Sequence, residues 1–299
     1  AGILLSSLDP KNVLDFLDKC PEDTLKAHPA ALLVLMRSMF NWRQIPKMLE
    51  LKELLLAAIT EHPDWPESER GDLLGECDLI MSFLCYNDIS AMSRLHRSAS
   101  GQMTRQAISI RSDGGWTFGS PSVLMMFYRA PGELESELRE MDECMPHYYK
   151  ITGNHGQGAE RIMRAEAAYM QGRFTDAHIV LENAYARIEG NGQENIALCC
   201  DFLARRLSLH AGVQQRCSFD ERYAALLRRH NAAWINIWSA TAAYYYALRG
   251  ETERIPEIFA QHRLASLQIL APGRPMFEMI ENQVYLAQGA YAKVIGRSA

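Results

Sequence analysis

"RAEAAYMQGRFTDAHIVLENAYARI", residues 164–188, carries the pattern that decides the fold. An apolar stripe at helical spacing runs up to Gly172; Phe174 follows, and Ala177, Leu181 and Ala184 set out a second stripe. Glycine permits the reversal between two antiparallel helices, the aromatic wedges between them, and the alanines let the axes approach. The stretch therefore reads as a helical hairpin.

The same punctuation recurs along the chain. Gly289 with Tyr291, Gly250 with Thr252, Gly212 in "LHAGVQQRC" and Gly132 with Leu134 repeat it, while Asn87 and Asn41 stand in for glycine nearer the start. These markers are spaced by roughly 38 to 46 residues, inside the range of two-helix repeats. Between them the segments 30–39, 47–60, 70–85, 120–129, 133–150, 158–171, 175–189, 194–211, 219–230, 232–248, 253–269 and 275–288 carry apolar residues at three- and four-residue spacing. Ser218 with Glu221 forms a capping-box signature. No useful alternating strand occurs, which disfavours a Rossmann or barrel enzyme. The expectation is an all-α chain: a superhelical array of about seven hairpins spanning residues 1–299 as one domain, with a long connecting loop near 101–120.

Bulk properties bound the function. Of 299 residues 48% are hydrophobic, which supplies a core, and the net charge of −5 argues against a nucleic-acid-binding surface spread over the molecule. Seven cysteines without a C-x-x-C pair read as reduced thiols in a cytoplasmic protein. The longest apolar runs fall short of the roughly 20 residues needed to cross a bilayer.

The hairpins resemble tetratricopeptide repeats, somewhat longer than the usual length of about 34 residues. A narrower resemblance lies in "CPEDTLKAHPAALLVLMRSMFNWRQIPKMLELKELLLAAI" (20–59) and "WTFGSPSVLMMFYRAPGELESELREM" (116–141), which are similar to the helical-repeat sensor region of MalT-like, LuxR-type bacterial transcription regulators. In that family an ATPase module precedes the repeats and a helix-turn-helix domain follows them. The resemblance implies a non-catalytic sensor that binds a small inducer or a partner protein, without touching nucleic acid or membrane itself. It also implies that this chain is part of a longer protein. No G-x-x-x-x-G-K-[ST] occurs, so the family's ATP site would lie in a missing module and no cofactor is expected here. An array that stops within a repeat can also self-associate through its uncapped end. The competing reading is a stand-alone adaptor whose groove takes an extended peptide or a partner helix.

Candidate site residues follow from the register, because the first helix of each pair lines the inner face of such an array. Counting six and three residues back from the turn markers places Glu166, Tyr169, Arg206, Tyr244 and Gln283 along that face, with Arg129 and His210 close by. This set can hydrogen-bond a polar ligand or a peptide backbone; equally, Glu166 and Arg206 can pair across neighbouring helices. In "SDGGWTFGSPS" (112–122) the phosphate-binding lysine and its following hydroxyl are missing. That stretch is either a connection pinned by Trp116 and Phe118 or a ligand-closing loop, with Ser120 and Pro121 expected to start the next helix. Trp234, Trp238 and Tyr245 read as core or as an aromatic cage. Cys144, His147 and His155 lack regular metal-ligand spacing, and no metal is expected.

Overall fold

The computed structural model describes residues 8–127, 131–211, 218–267 and 269–298. Sixteen α-helices and no strand occur among the described residues. In chain order the helices are α1 (Pro10–Lys19), α2 (Glu22–Lys26), α3 (Pro29–Asn41), α4 (Ile45–Glu61), α5 (Glu67–Met81), α6 (Ile89–Gln102), α7 (Leu124–Phe127) and α8 (Leu134–Thr152). They continue as α9 (Ala159–Met170), α10 (Phe174–Ile188), α11 (Glu194–Ala211), α12 (Phe219–Arg228), α13 (Ala232–Arg249), α14 (Glu257–Ala260), α15 (Arg274–Ala287) and α16 (Tyr291–Ser298). Among the described residues no helix is long and apolar enough to cross a membrane.

Helix starts follow local chemistry. Asp9 caps α1 by accepting from the Lys11 amide at 3.0 Å with Pro10 at the first helical position, and Asp88 caps α6 through the Ala91 amide at 2.8 Å. Asn231 caps α13, and Ser218 with Glu221 closes a capping box on α12.

One turn recurs among the described residues. At Gly172, Gly250 and Gly289 the backbone is left-handed, with φ of 75°, 73° and 73°. The amide after each bonds five residues back, Arg173 to Ala168, Glu251 to Tyr246 and Ala290 to Tyr285, at 2.9, 3.0 and 2.8 Å. This is a Schellman ending, which satisfies carbonyls the helix leaves open. The fourth copy lies at Arg43, φ 60°, with the Gln44 amide on the Met39 carbonyl at 2.8 Å. The connecting residues Gln44, Arg173 and Glu251 share dihedrals, φ −92°, −85° and −86° with ψ 58°, 64° and 62°.

Three local expectations are corrected. Neither Asn41 nor Asn87 is left-handed. Asn41 ends α3 and Arg43 takes the strained position, while a 3₁₀ turn, Ser82–Cys85, closes the second bend with an Asp88-to-Cys85 bond that needs no left-handed residue. The helix expected over 253–269 is broken: Pro256 holds Ile255 extended at ψ 128°, leaving α14 flanked by 3₁₀ turns. The helix expected over 120–129 starts only at Leu124, because the Ser120 hydroxyl bonds the Ser122 amide and carbonyl and folds the chain into a turn. Ser122, not Ser120, accepts the Met125 amide. Gly212 lies outside the described residues.

The chain forms two compact units. The first comprises residues 1–112 and 139–155. There α3 packs antiparallel on α4, α5 pairs with α6, and α3 also meets α5. Leu32, Met36, Met39, Met48 and Leu55 lose all solvent contact in its core. The later part of α8 lies along α6, where Arg97 reaches Glu140 at 2.9 Å.

The second unit comprises residues 113–138 and 156–299. Helices α9, α11, α13 and α15 pack in series, with α10 against α9 and α11, α12 against α13, and α16 against α15. Phe202, Phe259, Phe277, Ile280 and Val284 fill one part of the core; Trp238, Leu198 and Leu226 fill another. Trp238 is thus core, its indole N–H donating to the Phe219 carbonyl at 3.3 Å, while Trp234 packs half-buried beside it and Tyr245 lies half-buried against the first cluster. Cys199 and Cys200 are both fully buried, since α11 is enclosed on opposite sides.

Candidate functional site

From Trp116 onward the "SDGGWTFGSPS" stretch is a buried seam within the second unit. Thr117, Ser120, Val123 and Met126 are sealed from solvent, and α7 at its end packs against both α9 and α15. An irregular segment buried this deeply must find partners for its amides, and two helix side chains supply them. Asn195 Oδ1 accepts from the Trp116 and Thr117 amides at 2.6 and 2.8 Å, while its Nδ2 donates to Thr117 Oγ1 at 3.0 Å. Glu166 Oε2 accepts from the Val123 and Leu124 amides, both at 2.9 Å. Trp116 is buried against Phe127, with ring centroids 5.7 Å apart, and Phe118 sits half-buried in left-handed geometry at φ 52°. A Cβ at Gly156, itself at φ 72°, would come 2.1 Å from the Trp116 ring, so the seam demands glycine there twice over.

The register-derived residues of α9, α11 and α13 gather beside this seam. The Arg206 guanidinium lies 4.2 Å from the Tyr169 ring centroid, 5.4 Å from Phe202 and 5.9 Å from Tyr244. Its Nη2 donates to the Met170 sulfur at 3.2 Å. Phe174 stacks on His210 at 5.0 Å, and Tyr169 lies 5.8 Å from the same imidazole. Arg206 Nη1 stands 3.9 Å from Glu166 Oε1, within reach for Coulomb attraction but too far for a hydrogen bond. Glu166 Oε1 and Arg206 Nε are both buried without a hydrogen-bond partner. Met170 and His210 are exposed, and Tyr244 is half-buried. Gln283 is half-buried on α15, which packs against α13. Arg129 lies outside the described residues.

Burial raises the Glu166 carboxyl above its ordinary range, although Arg206 and the two seam amides pull it down. Burial likewise raises the Tyr169 phenol, and it lifts the Cys199 thiol well above its usual value. A buried thiol held protonated is a poor nucleophile.

The first unit contains a parallel arrangement. Glu76 of α5, fully buried, accepts from the Ile108 and Ser109 amides through Oε1, both at 2.8 Å, and from Arg105 Nη1 through Oε2 at 2.7 Å. One turn earlier Asp72 takes the Thr104 amide at 2.6 Å. Here the carboxylate has an arginine in direct contact. Asp72, Glu76 and Asn195 match no motif in the sequence. The available signal was two acids one helical turn apart in "GDLLGECDLI", a stretch otherwise too apolar to present a solvated face.

Elsewhere in the first unit His96 Nδ1 meets Cys144 Sγ at 3.1 Å and His96 Nε2 meets Ser82 Oγ at 2.9 Å. Burial lowers His96 to about 3 and raises Cys144 to about 11, so at neutral pH both are uncharged and form no thiolate–imidazolium pair. His155 meets the Tyr148 hydroxyl at 2.6 Å. Among the described residues no group of three or more His, Cys, Asp or Glu side chains is placed to hold a metal ion. No family model matches the chain, and no curated protein or solved structure matches it.

Proposed function

We propose that this chain is a non-catalytic binding module that receives a small inducer or a partner-protein segment at the face formed by Glu166, Tyr169, Arg206 and Tyr244. In its full form the proposal is a superhelical, tetratricopeptide-like array serving as the sensor region of a MalT-like, LuxR-type cytoplasmic regulator. Nucleic-acid contact would be left to other parts of that protein. One observation carries the binding role. A guanidinium and a carboxyl lie buried side by side with polar atoms unpartnered, although buried polar groups are otherwise nearly always paired. The serial packing of α9, α11, α13 and α15 supports the array.

A second reading, an adaptor for an extended peptide, has its own support. Asn195 and Glu166 already hold paired backbone amides of an irregular segment, the contact by which helices can hold an extended chain.

Thermal unfolding with a metabolite panel and with candidate partner proteins separates the readings, since a ligand of the native state stabilises by RT ln(1 + [L]/Kd). A shift with a small molecule that disappears in Arg206→Ala supports the sensor. A shift only with a peptide or protein supports the adaptor. A nucleotide-binding module and a helix-turn-helix in the natural coding sequence would favour the regulator, and their absence from it would count against that reading.

A further inference from the structure

A cavity of about 390 Å³ opens in the first unit, where the starts of α3 and α5 meet the held stretch 104–109. Its size is near the lower end of the range for small-molecule sites, about 300–1,000 Å³. Pro29, Pro66, Leu73 and Ile108 give it apolar walls, and Glu69, Asp72 and Arg105 line it as well. Arg105 has its charge already engaged. Its Nη1 donates to Glu76 Oε2 at 2.7 Å and to the Gln106 carbonyl at 2.9 Å, and its Nε stands 3.6 Å from Asp72 Oδ2. Glu69, Asp72 and Glu76 follow at three- and four-residue spacing along one side of α5, against that one guanidinium. The excess of charge beside the cavity is therefore negative. Two helix starts oppose it only in part, since each is equivalent to about half a charge. Moreover α3 begins on Pro29, which has no N–H, and α5 carries Glu67 as well as Glu69 in its first turn.

We propose that this cavity binds an organic cation, a primary ammonium carried on a short apolar stem. The stem lies between Pro29, Pro66, Leu73 and Ile108, and the ammonium donates to Glu69, which is exposed. Asp72 is buried and already accepts from the Thr104 amide and hydroxyl, so it attracts the cation at range without bonding it. A carboxylate ligand would meet like charge, and a neutral one would gain the apolar walls alone. The site lies wholly in the first unit and stands independently of the binding role proposed above. A free amine and the lysine side chain of a partner share this head and stem.

The test titrates the whole chain with 2-phenylethylamine, 2-phenylethanol and 3-phenylpropanoate at about pH 7.5, where the amine is protonated and the acid ionised. Binding is read from the protein's amide resonances. The amine should bind with a Kd on the order of millimolar, as suits a fragment of this size, and should move the resonances of Ala30, Ser68, Leu73 and Ile108. It should bind about fivefold tighter than the alcohol, the upper range for one exposed ion pair, and the carboxylate should bind weakest. Raising the ionic strength to about 0.5 M should remove most of that advantage. Asp72→Asn would disturb the hold on Thr104 along with the charge, so the variant is Glu69→Gln, at an exposed position. It should bring the amine down to the affinity of the alcohol, while the alcohol's own affinity holds. Ala30→Trp, which sets a large ring at an exposed lining position, should abolish binding of all three while the remaining resonances report an intact fold. Binding of Nα-acetyllysine amide tighter than that of 2-phenylethylamine assigns the site to a partner's lysine, and weaker binding assigns it to a free amine. The alcohol or the carboxylate binding as tightly as the amine overturns the cationic assignment, as does an unchanged amine affinity in Glu69→Gln. Resonances that stay fixed with every compound, or that move only elsewhere, overturn the site itself.

Discussion

The two units solve one problem in two ways. Each must hold a non-helical stretch against its helices, 104–109 in the first and 116–124 in the second, and each does so with a helix acid that accepts two adjacent amides. In the first unit Arg105, partly exposed, comes from the held stretch and touches Glu76 directly. In the second, Arg206 comes from a neighbouring helix and falls short of Glu166. A carboxylate bonded to amides and arginine recovers the cost of its burial; one left with an idle oxygen recovers only part of it.

The glycines of "ITGNHGQG" give the largest effect by which this comparison can be sharpened. Gly153→Ala brings a Cβ to 2.9 Å from Gln106 Oε1, the far end of a flexible side chain, and should cost about 1 kcal/mol from its positive φ alone. Gly156→Ala meets the Trp116 ring at 2.1 Å and should cost about 3 kcal/mol or more, because the seam cannot yield without opening. Urea unfolding of both variants measures the difference, and equal losses would mean that the seam is not packed as described.

Next come the acids themselves. Glu76→Gln keeps an acceptor for the amides but loses the charged contact with Arg105, and should cost about 2 kcal/mol. Glu166→Gln, with no such contact to lose, should cost about 1 kcal/mol or less at neutral pH, measured by the same denaturant curves. The reverse order would break the comparison.

The pH dependence of that second variant is a finer test. Burial holds the Glu166 carboxyl above its ordinary range, so the fold favours its protonated form. That preference is fully present below the unfolded pKa of about 4.3 and is lost as pH rises toward the raised folded value. Stability of Glu166→Gln relative to the native chain should therefore improve as pH goes from about 4 to about 7. A worsening over that range would show that Arg206 dominates burial.

The hairpin turns give the smallest effect. Nothing lies within 4 Å of a Cβ built at Gly172 or Gly250, so alanine there should cost only the left-handed backbone penalty, about 1 kcal/mol. Circular-dichroism melts of each variant check this, and a much larger loss would point to unrecognised packing at the turns.

These turns show what the sequence makes legible. Glycine and a following helix start mark Gly172, Gly250 and Gly289 because the geometry leaves little choice of residue. Arg43 adopts the same geometry without any signal in its type, two residues after the Asn41 expected to take it. The clustering of Glu166, Tyr169, Arg206 and Tyr244 was legible because helical register fixes which side chains share a face. The segment that buries Glu166 was not. Its anchors lie 43 and 79 residues from the amides they hold, and nothing local to 112–122 records them. Pro256 breaks the helix expected over 253–269, where the flanking apolar residues keep helical spacing on both sides.

Hydrogen exchange by NMR tests most directly whether buried helix acids hold these two irregular stretches. The amides of Ile108, Ser109, Val123 and Leu124 should exchange far more slowly than those of exposed loop residues such as Asp113. Glu76→Gln should speed exchange only at Ile108 and Ser109, and Glu166→Gln only at Val123 and Leu124. Exchange of all four amides at the rate of an open loop in the native chain would contradict the account.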